Sequence, residues 1–216
     1  MNKKVAITGV VIVIIAVVSM FMVQKKSNAP VEKEQNQIQQ QEQQPVQSGD
    51  QQVVDTSDWK AYSNSTYGFE FKYPKDWIIE NNSGVNTDPS VVSIMSQETK
   101  KDIDKNREAG VICEACGPDV SFYYYSSIEN QPDNKYVKAK NLNEFIEKDN
   151  FIKKIGERKM GNINMIETIQ NGAGAYYALM AENNSHIYKI FFTHRDSRDK
   201  LNDIENKILS TYKITK

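Results

Sequence analysis

Cys113-Glu114-Ala115-Cys116 is the stretch whose residue types and spacing carry the most chemistry. Two thiols three positions apart can form a short-range disulfide, half of a zinc site or a redox centre. Zinc needs two further ligands, and His186 and His194 are the only histidines. They flank one expected strand and would lie up to ~26 Å apart if it were fully extended. A thioredoxin-like centre sets its first Cys at a helix N-terminus, where the dipole lowers the thiol pKa. Here Gly110 and Gly117-Pro118 bracket the pair as a loop. These neighbours favour a disulfide pinning that loop in an oxidising exterior, with thiol–disulfide redox work as the alternative.

Asp102-Ile103-Asp104-Lys105-Asn106 imitates the first half of a calcium-binding loop. That loop requires Gly at its sixth position and a bidentate acid at its twelfth, where this chain has Arg107 and Cys113. The stretch therefore reads as a solvated charged turn or helix. His194, beside Arg195 and Asp196, reads as a surface histidine rather than a general base. Neither a nucleophile elbow nor a Gly-rich phosphate loop occurs. The sequence thus points to no catalytic residues, no cofactor and no metal ligands. Tyr123, Tyr125 and Tyr176 are the candidates for an aromatic partner surface, although strand alternation turns neighbouring tyrosines to opposite faces.

These residues need elements to position them. Phe69, Phe71 and Tyr73 alternate with polar residues and share one face of a strand. Pro74 and Asp76 turn the chain before a second strand at Trp77–Ile79. Val91–Met95 and Val120–Tyr125 read as further strands, and Asn141-Leu142-Asn143-Glu144 as the cap of a short helix. Ile163–Ile169, Ala175–Ala181 and His186–Thr193 follow, separated by Asn171–Gly174 and Asn183-Asn184 as hairpin turns. A closing helix over Ser197–Tyr212 carries Leu201, Ile204, Ile208 and Tyr212 on one side. Strands in runs with helices set apart indicate an α+β class: an antiparallel sheet flanked by helices.

The first 56 residues follow other rules. Val5–Val23 is an uncharged run of 19 residues. As a helix it would be ~28 Å long, near the ~30 Å hydrocarbon thickness. Lys3, Lys4, Lys25 and Lys26 flank it. A cleaved signal peptide is the competing reading, with Ser27-Asn28-Ala29 as the cut. The length of the run, the intervening lysines and Pro30 favour an uncleaved anchor. From Gln35 to Gln52 ten of 18 residues are Gln, too little apolar surface to offset the entropy of ordering.

The expected organisation is an anchor over 1–26, a disordered Gln-rich linker over 27–56 and a domain over 57–216. The short N-terminus and the soluble bulk after the run place the chain in a bacterial cell membrane, single-pass, with the domain on the extracytoplasmic side. A net charge of −1, with 22 basic and 23 acidic side chains after residue 56, argues against nucleic acid as a partner. The remaining expectation is a non-enzymatic domain that docks onto a protein or envelope partner.

Tyr67-Gly68-Phe69-Glu70-Phe71-Lys72-Tyr73-Pro74-Lys75-Asp76-Trp77 resembles the opening of PsbP-like domains, the family of the extrinsic photosystem II protein PsbP. Ile204–Tyr212 is similar to that family's closing helix. The resemblance touches both ends of residues 59–213. It implies an α-β-α sandwich, in which an antiparallel sheet lies between helices, and a docking role. The photosynthetic members support a calcium- and chloride-dependent site on a partner, which makes a calcium-linked accessory role a further alternative. No ligand set of this chain matches one to carry over.

Overall fold

The computed structural model describes residues 55–81, 92–111 and 116–216. The expected anchor lies outside them, as do Cys113 and all of the expected linker except Asp55 and Thr56. No helix among the described residues is long and apolar enough to cross a membrane.

Strands β1 (Lys60–Asn64), β2 (Phe69–Tyr73) and β10 (Lys213–Ile214) form a three-stranded sheet in the order β1-β2-β10. A seven-stranded antiparallel sheet contains β3 (Ile78–Asn81), β4 (Val92–Met95), β5 (Val120–Tyr125), β6 (Ile152–Met160), β7 (Ile163–Asn171), β8 (Ala175–Asn183) and β9 (His186–Phe192). Its order is β3-β4-β5-β9-β8-β7-β6. Helices α1 (Gln97–Glu108), α2 (Asn134–Val137), α3 (Leu142–Lys148) and α4 (Asp203–Thr211) complete the described elements, with two short 3-10 turns.

The antiparallel α+β class is as expected, but the strands form two sheets rather than one. Pro74 carries no N–H, and a turn closes there as the Trp77 N–H donates to the Pro74 carbonyl at 3.1 Å. Strand β2 therefore leaves the large sheet and pairs with β1 and β10. Gly68 makes the hairpin before it possible, because its φ of +73° is a left-handed conformation that costs glycine little.

The registers assign the faces of the large sheet. Val120, Phe122, Leu179, Ile190 and Phe192 are paired neighbours on one face. The small sheet and α4 cover that face. Phe71 of β2 stacks on Phe122 of β5 with centroids 4.1 Å apart, and Tyr212 stacks beside Phe122 at 5.8 Å. The opposite face is covered by short elements toward one end. There Leu142, Phe145 and Ile146 of α3 pack with Tyr125, Met180 and Ile187. The expected three-layer sandwich therefore has a mixed layer of sheet and helix on one side.

The closing helix begins later than expected. Ser197 opens a 3-10 turn over Arg198–Lys200, and Asn202 caps α4. The Asn202 side chain accepts from the Glu205 N–H at 2.8 Å, while the Glu205 carboxylate accepts from the Asn202 N–H at 2.8 Å. The Arg195 guanidinium reaches the same carboxylate at 2.9 Å, so this buried acid is paired.

Candidate functional site

A cleft of about 580 Å³ opens where α2 and the end of α3 meet the start of β6 and the end of β7. Two large rings stand in solvent at its lining, Tyr136 with 77% exposure and Phe151 with 66%. Isolated exposed apolar residues are ordinary, but two at one cleft are not random decoration.

Buried amides hold Tyr136 in place. A four-residue helix cannot hold itself, since nucleation costs more than one turn returns. The side chain of Gln131 accepts from the N–H groups of Asp133 at 2.7 Å and Asn134 at 3.0 Å. At the other end, the Asn134 amide donates to the Ala139 carbonyl at 3.0 Å and accepts its N–H at 2.7 Å. Both amides are buried. Phe151 is fixed by its backbone, its N–H donating to Asp149 Oδ1 at 2.8 Å and its carbonyl accepting from the Asn171 N–H at 2.7 Å. Both rings thus sit on pinned backbone and stay largely in water, with Lys135 Nζ 4.7 Å over one face of the Tyr136 ring.

Much of the remaining lining is polar. Asp149 is nine-tenths buried, yet among the described residues its second oxygen has no hydrogen-bond partner. The Gln170 amide makes only a weak 3.6 Å contact with the Met180 sulfur, which leaves its oxygen unspent. Asn150 and Asn171 also line the cleft. Lys148, the one cation of the lining, pairs with Glu144 at 2.5 Å. That ammonium group, with the Lys140 N–H, holds the Glu144 carboxyl below its ordinary pKa.

Several residues singled out by the sequence meet elsewhere. Asp102, Asn106, Cys116 and His194 all line a second cleft of about 390 Å³ beside α1. Several of its polar groups are spent on one another, while the carboxylates of Glu98 and Asp102 stay open to solvent. Asp119 accepts from the Ser96 N–H at 2.7 Å and the Thr99 hydroxyl at 2.9 Å, tying down the start of α1. The Asn106 amide lies 3.1 Å from Cys116 Sγ, and His194 Nε2 meets the Gly117 carbonyl at 3.1 Å. Asp102–Asn106 lie in the middle of α1, a charged helix with no buried residue, as one of the two forms expected of the stretch, and there they cannot wrap a calcium ion as a loop.

His186 and His194 are not brought together. They stand at the two ends of β9, with His186 Nδ1 near the Tyr124 hydroxyl at 2.9 Å and the Ser126 carbonyl at 3.0 Å. Among the described residues, no group of three or more His, Cys, Asp and Glu could hold a metal ion. The expected tyrosine surface divides. Tyr123 and Tyr176 lie half-buried on the face away from the main core, with Lys189 and Phe191 between them. Tyr125, 3% exposed, packs into the core beneath α3, and so adds nothing to a surface.

Sequence reasoning missed Tyr136, Phe151 and the amides that hold them. It also missed a buried polar network on the main face. There the Tyr177 hydroxyl donates to Glu167 at 2.7 Å, Arg198 lies 3.7 Å from the same acid, and Arg158 reaches Asn206 at 3.2 Å. Gly156 opposes Glu167, and a Cβ there would come within 2.9 Å of its carboxylate oxygen.

Neither a family model nor a curated relative matches the chain. Among solved structures, the chain is similar to the solution structure of cyanobacterial PsbP (CyanoP) from Synechocystis sp. PCC 6803. The identity is 17% and the TM-score 0.39, over 75% of this chain and 95% of that one. This is the family that the Tyr67–Trp77 stretch resembles. The likeness concerns fold alone, and the architecture above rests on the chain's own strand registers.

Proposed function

We propose that this protein is a non-enzymatic docking domain, and that the cleft between Tyr136 and Phe151 is its recognition site. The observation that carries this reading is the pair of solvent-exposed rings on pinned backbone. Holding apolar faces in water is unfavourable unless something covers them. The apolar run Val5–Val23 and the Gln-rich segment after it support an anchored placement, with the domain on the extracytoplasmic side of a bacterial membrane. There it would meet a protein or an envelope component.

A photo-crosslinking residue at position 151 of the full chain, activated in intact cells, tests the reading. An adduct at 151 that is absent from the unactivated sample is the expected result. No adduct at 151, with the chain present at normal level, would contradict it.

A second reading, a thiol–disulfide protein, draws on Cys116 lining a cleft with His194. Cys116 is not a free thiol, which suits a bond to Cys113 in either reading. Cys116→Ser should then trap mixed disulfides through Cys113 if the pair exchanges with partners. A variant that traps nothing and loses only thermal stability leaves the pair as a structural staple.

A further inference from the structure

We propose that the cleft beside Tyr136 and Phe151 takes a saccharide, a neutral polyhydroxylated chain presented flat to the two rings. This rests on the reading of that cleft as the recognition site and names what it recognises.

The groups left unspent around the cleft decide the chemical class. Asn150, Gln170 and Asn171 bring amides, which donate and accept in fixed directions, and Asp149 brings a free acceptor oxygen. Hydroxyl groups also donate and accept, so a row of them can satisfy a lining of this kind. An anion is poorly matched here, because Lys148 is already paired with Glu144, Lys135 is engaged over the Tyr136 ring, and Asp149 repels negative charge. An extended peptide reads a protein through main-chain hydrogen bonds. The backbone N–H and carbonyl of Phe151 are both consumed, by Asp149 and Asn171. A wholly apolar ligand would shut the open Asp149 oxygen off from water without giving it a partner.

The rings supply the rest. The face of an aromatic ring carries negative charge density, and the C–H groups on the flat side of a pyranose carry the complementary partial positive charge. Sugar pockets therefore need aromatic faces held still, with polar groups at the side to fix hydroxyls. Here α2 holds Tyr136 and the Asp149–Asn171 clamp holds Phe151. The volume of about 580 Å³ falls within the range of small-ligand sites, enough for a few sugar units.

The test uses the full chain in a detergent without a sugar headgroup. It is titrated calorimetrically with tetrasaccharides of β-1,4-linked glucose and of β-1,4-linked N-acetylglucosamine. Saturable binding of at least one is expected, weakened about tenfold or more by Phe151→Ala and by Tyr136→Ala. Phe151→Trp keeps a flat face and should retain binding, whereas Phe151→Leu keeps only apolar bulk and should lose it. Both rings are exposed, so the variants should melt with the parent, which separates lost stacking from lost folding. No saturable binding of either sugar overturns the proposal, as does binding that Phe151→Leu leaves unchanged. If position 151 forms a protein adduct in cells while neither sugar binds, the saccharide is overturned and the docking site stands. If 151 forms no adduct, the docking site itself is lost.

Discussion

The two clefts contain similar residues and use them in opposite ways. Beside α1, the amide, imidazole and inner carboxylate answer their neighbours: Asp119 with Ser96 and Thr99, His194 with Gly117, Asn106 with Cys116. Only the outer acids Glu98 and Asp102 are left to solvent. Between α2 and β6, the answered groups are the ones that hold the walls, and the groups facing the opening are left over. A cleft whose hydrogen bonds close on themselves supports the fold. A cleft whose scaffold is satisfied and whose lining is not has binding capacity in reserve. Titratable side chains gathered in one place are thus a poorer guide to function than unspent ones.

The largest effect that sharpens this contrast is on stability at the α1 cleft. Asp119→Ala removes two hydrogen bonds to a carboxylate and leaves the start of α1 without its clamp. It should cost about 2 kcal/mol in urea unfolding and leave the adduct at position 151 unchanged. A loss of that adduct would show that the two clefts are coupled.

The cysteine pair comes next. A bond between Cys113 and Cys116 would close a four-residue loop, worth about 2 kcal/mol on the chain-entropy estimate. Reducing agent should lower the unfolding midpoint accordingly, and the Cys113→Ser, Cys116→Ser double variant should no longer respond to it. An unchanged midpoint in the parent chain would remove the staple.

The tyrosines that are spent inside the core give a smaller, pH-dependent signature. Burial pushes the Tyr212 and Tyr177 hydroxyls above their ordinary pKa, and the Glu167 carboxylate adds to the effect at Tyr177. In the unfolded chain these groups release their protons near pH 10, while in the fold they keep them. The unfolded state then binds fewer protons, so their contribution is complete below pH 10 and falls as pH rises above it. The limiting slope is about 1.4 kcal/mol per pH unit for each group. Tyr177→Phe should flatten the decline of stability between pH 10 and 11.5, and an equal slope in the variant would count against the burial argument.

The smallest stability effect belongs to the recognition cleft. Tyr136→Ala and Phe151→Ala remove exposed rings and should each shift unfolding by about 0.5 kcal/mol or less. A loss of several kcal/mol would mean that the rings hold the fold together rather than wait for a ligand.

The sequence disclosed elements wherever one face was apolar and the other polar. Phe69, Phe71 and Tyr73 announced β2, and Val120–Tyr125 coincides with β5. Strand β6 escaped notice because Lys153, Lys154, Glu157, Arg158 and Lys159 give it the charged character of an edge strand. Its register also shifts between Lys154 and Gly156, which breaks the alternation. The start of α4 was misplaced because Ser197 resembles a cap, whereas Asn202 and Glu205 form the reciprocal one. That α1 is a helix was only half legible, since none of its residues is buried and it has no apolar stripe to declare it.

The recognition cleft was less legible still. Tyr136 and Phe151 lie 15 positions apart in segments with no motif, and only the packing of α3 against β6 brings them to one opening. Exposed and buried aromatics look alike in a sequence, and the signal that separates them here is structural. Gln131 and Asn134 are buried amides bound to backbone, a pairing that no spacing rule announces. The Cys113–Cys116 motif drew attention by its spacing, but motif spacing does not reveal whether neighbouring groups are already engaged.

The most direct measurement compares the two clefts in place. Full-length chains carrying the photo-crosslinking residue at 151 or at 102, one in each cleft, are activated in the same intact cells. A clear excess of adduct at 151 over 102 is the predicted result, and it should be abolished by Tyr136→Ala in the same chain. Equal adduct at both positions, or an excess at 102, would contradict the assignment of recognition to the cleft between Tyr136 and Phe151.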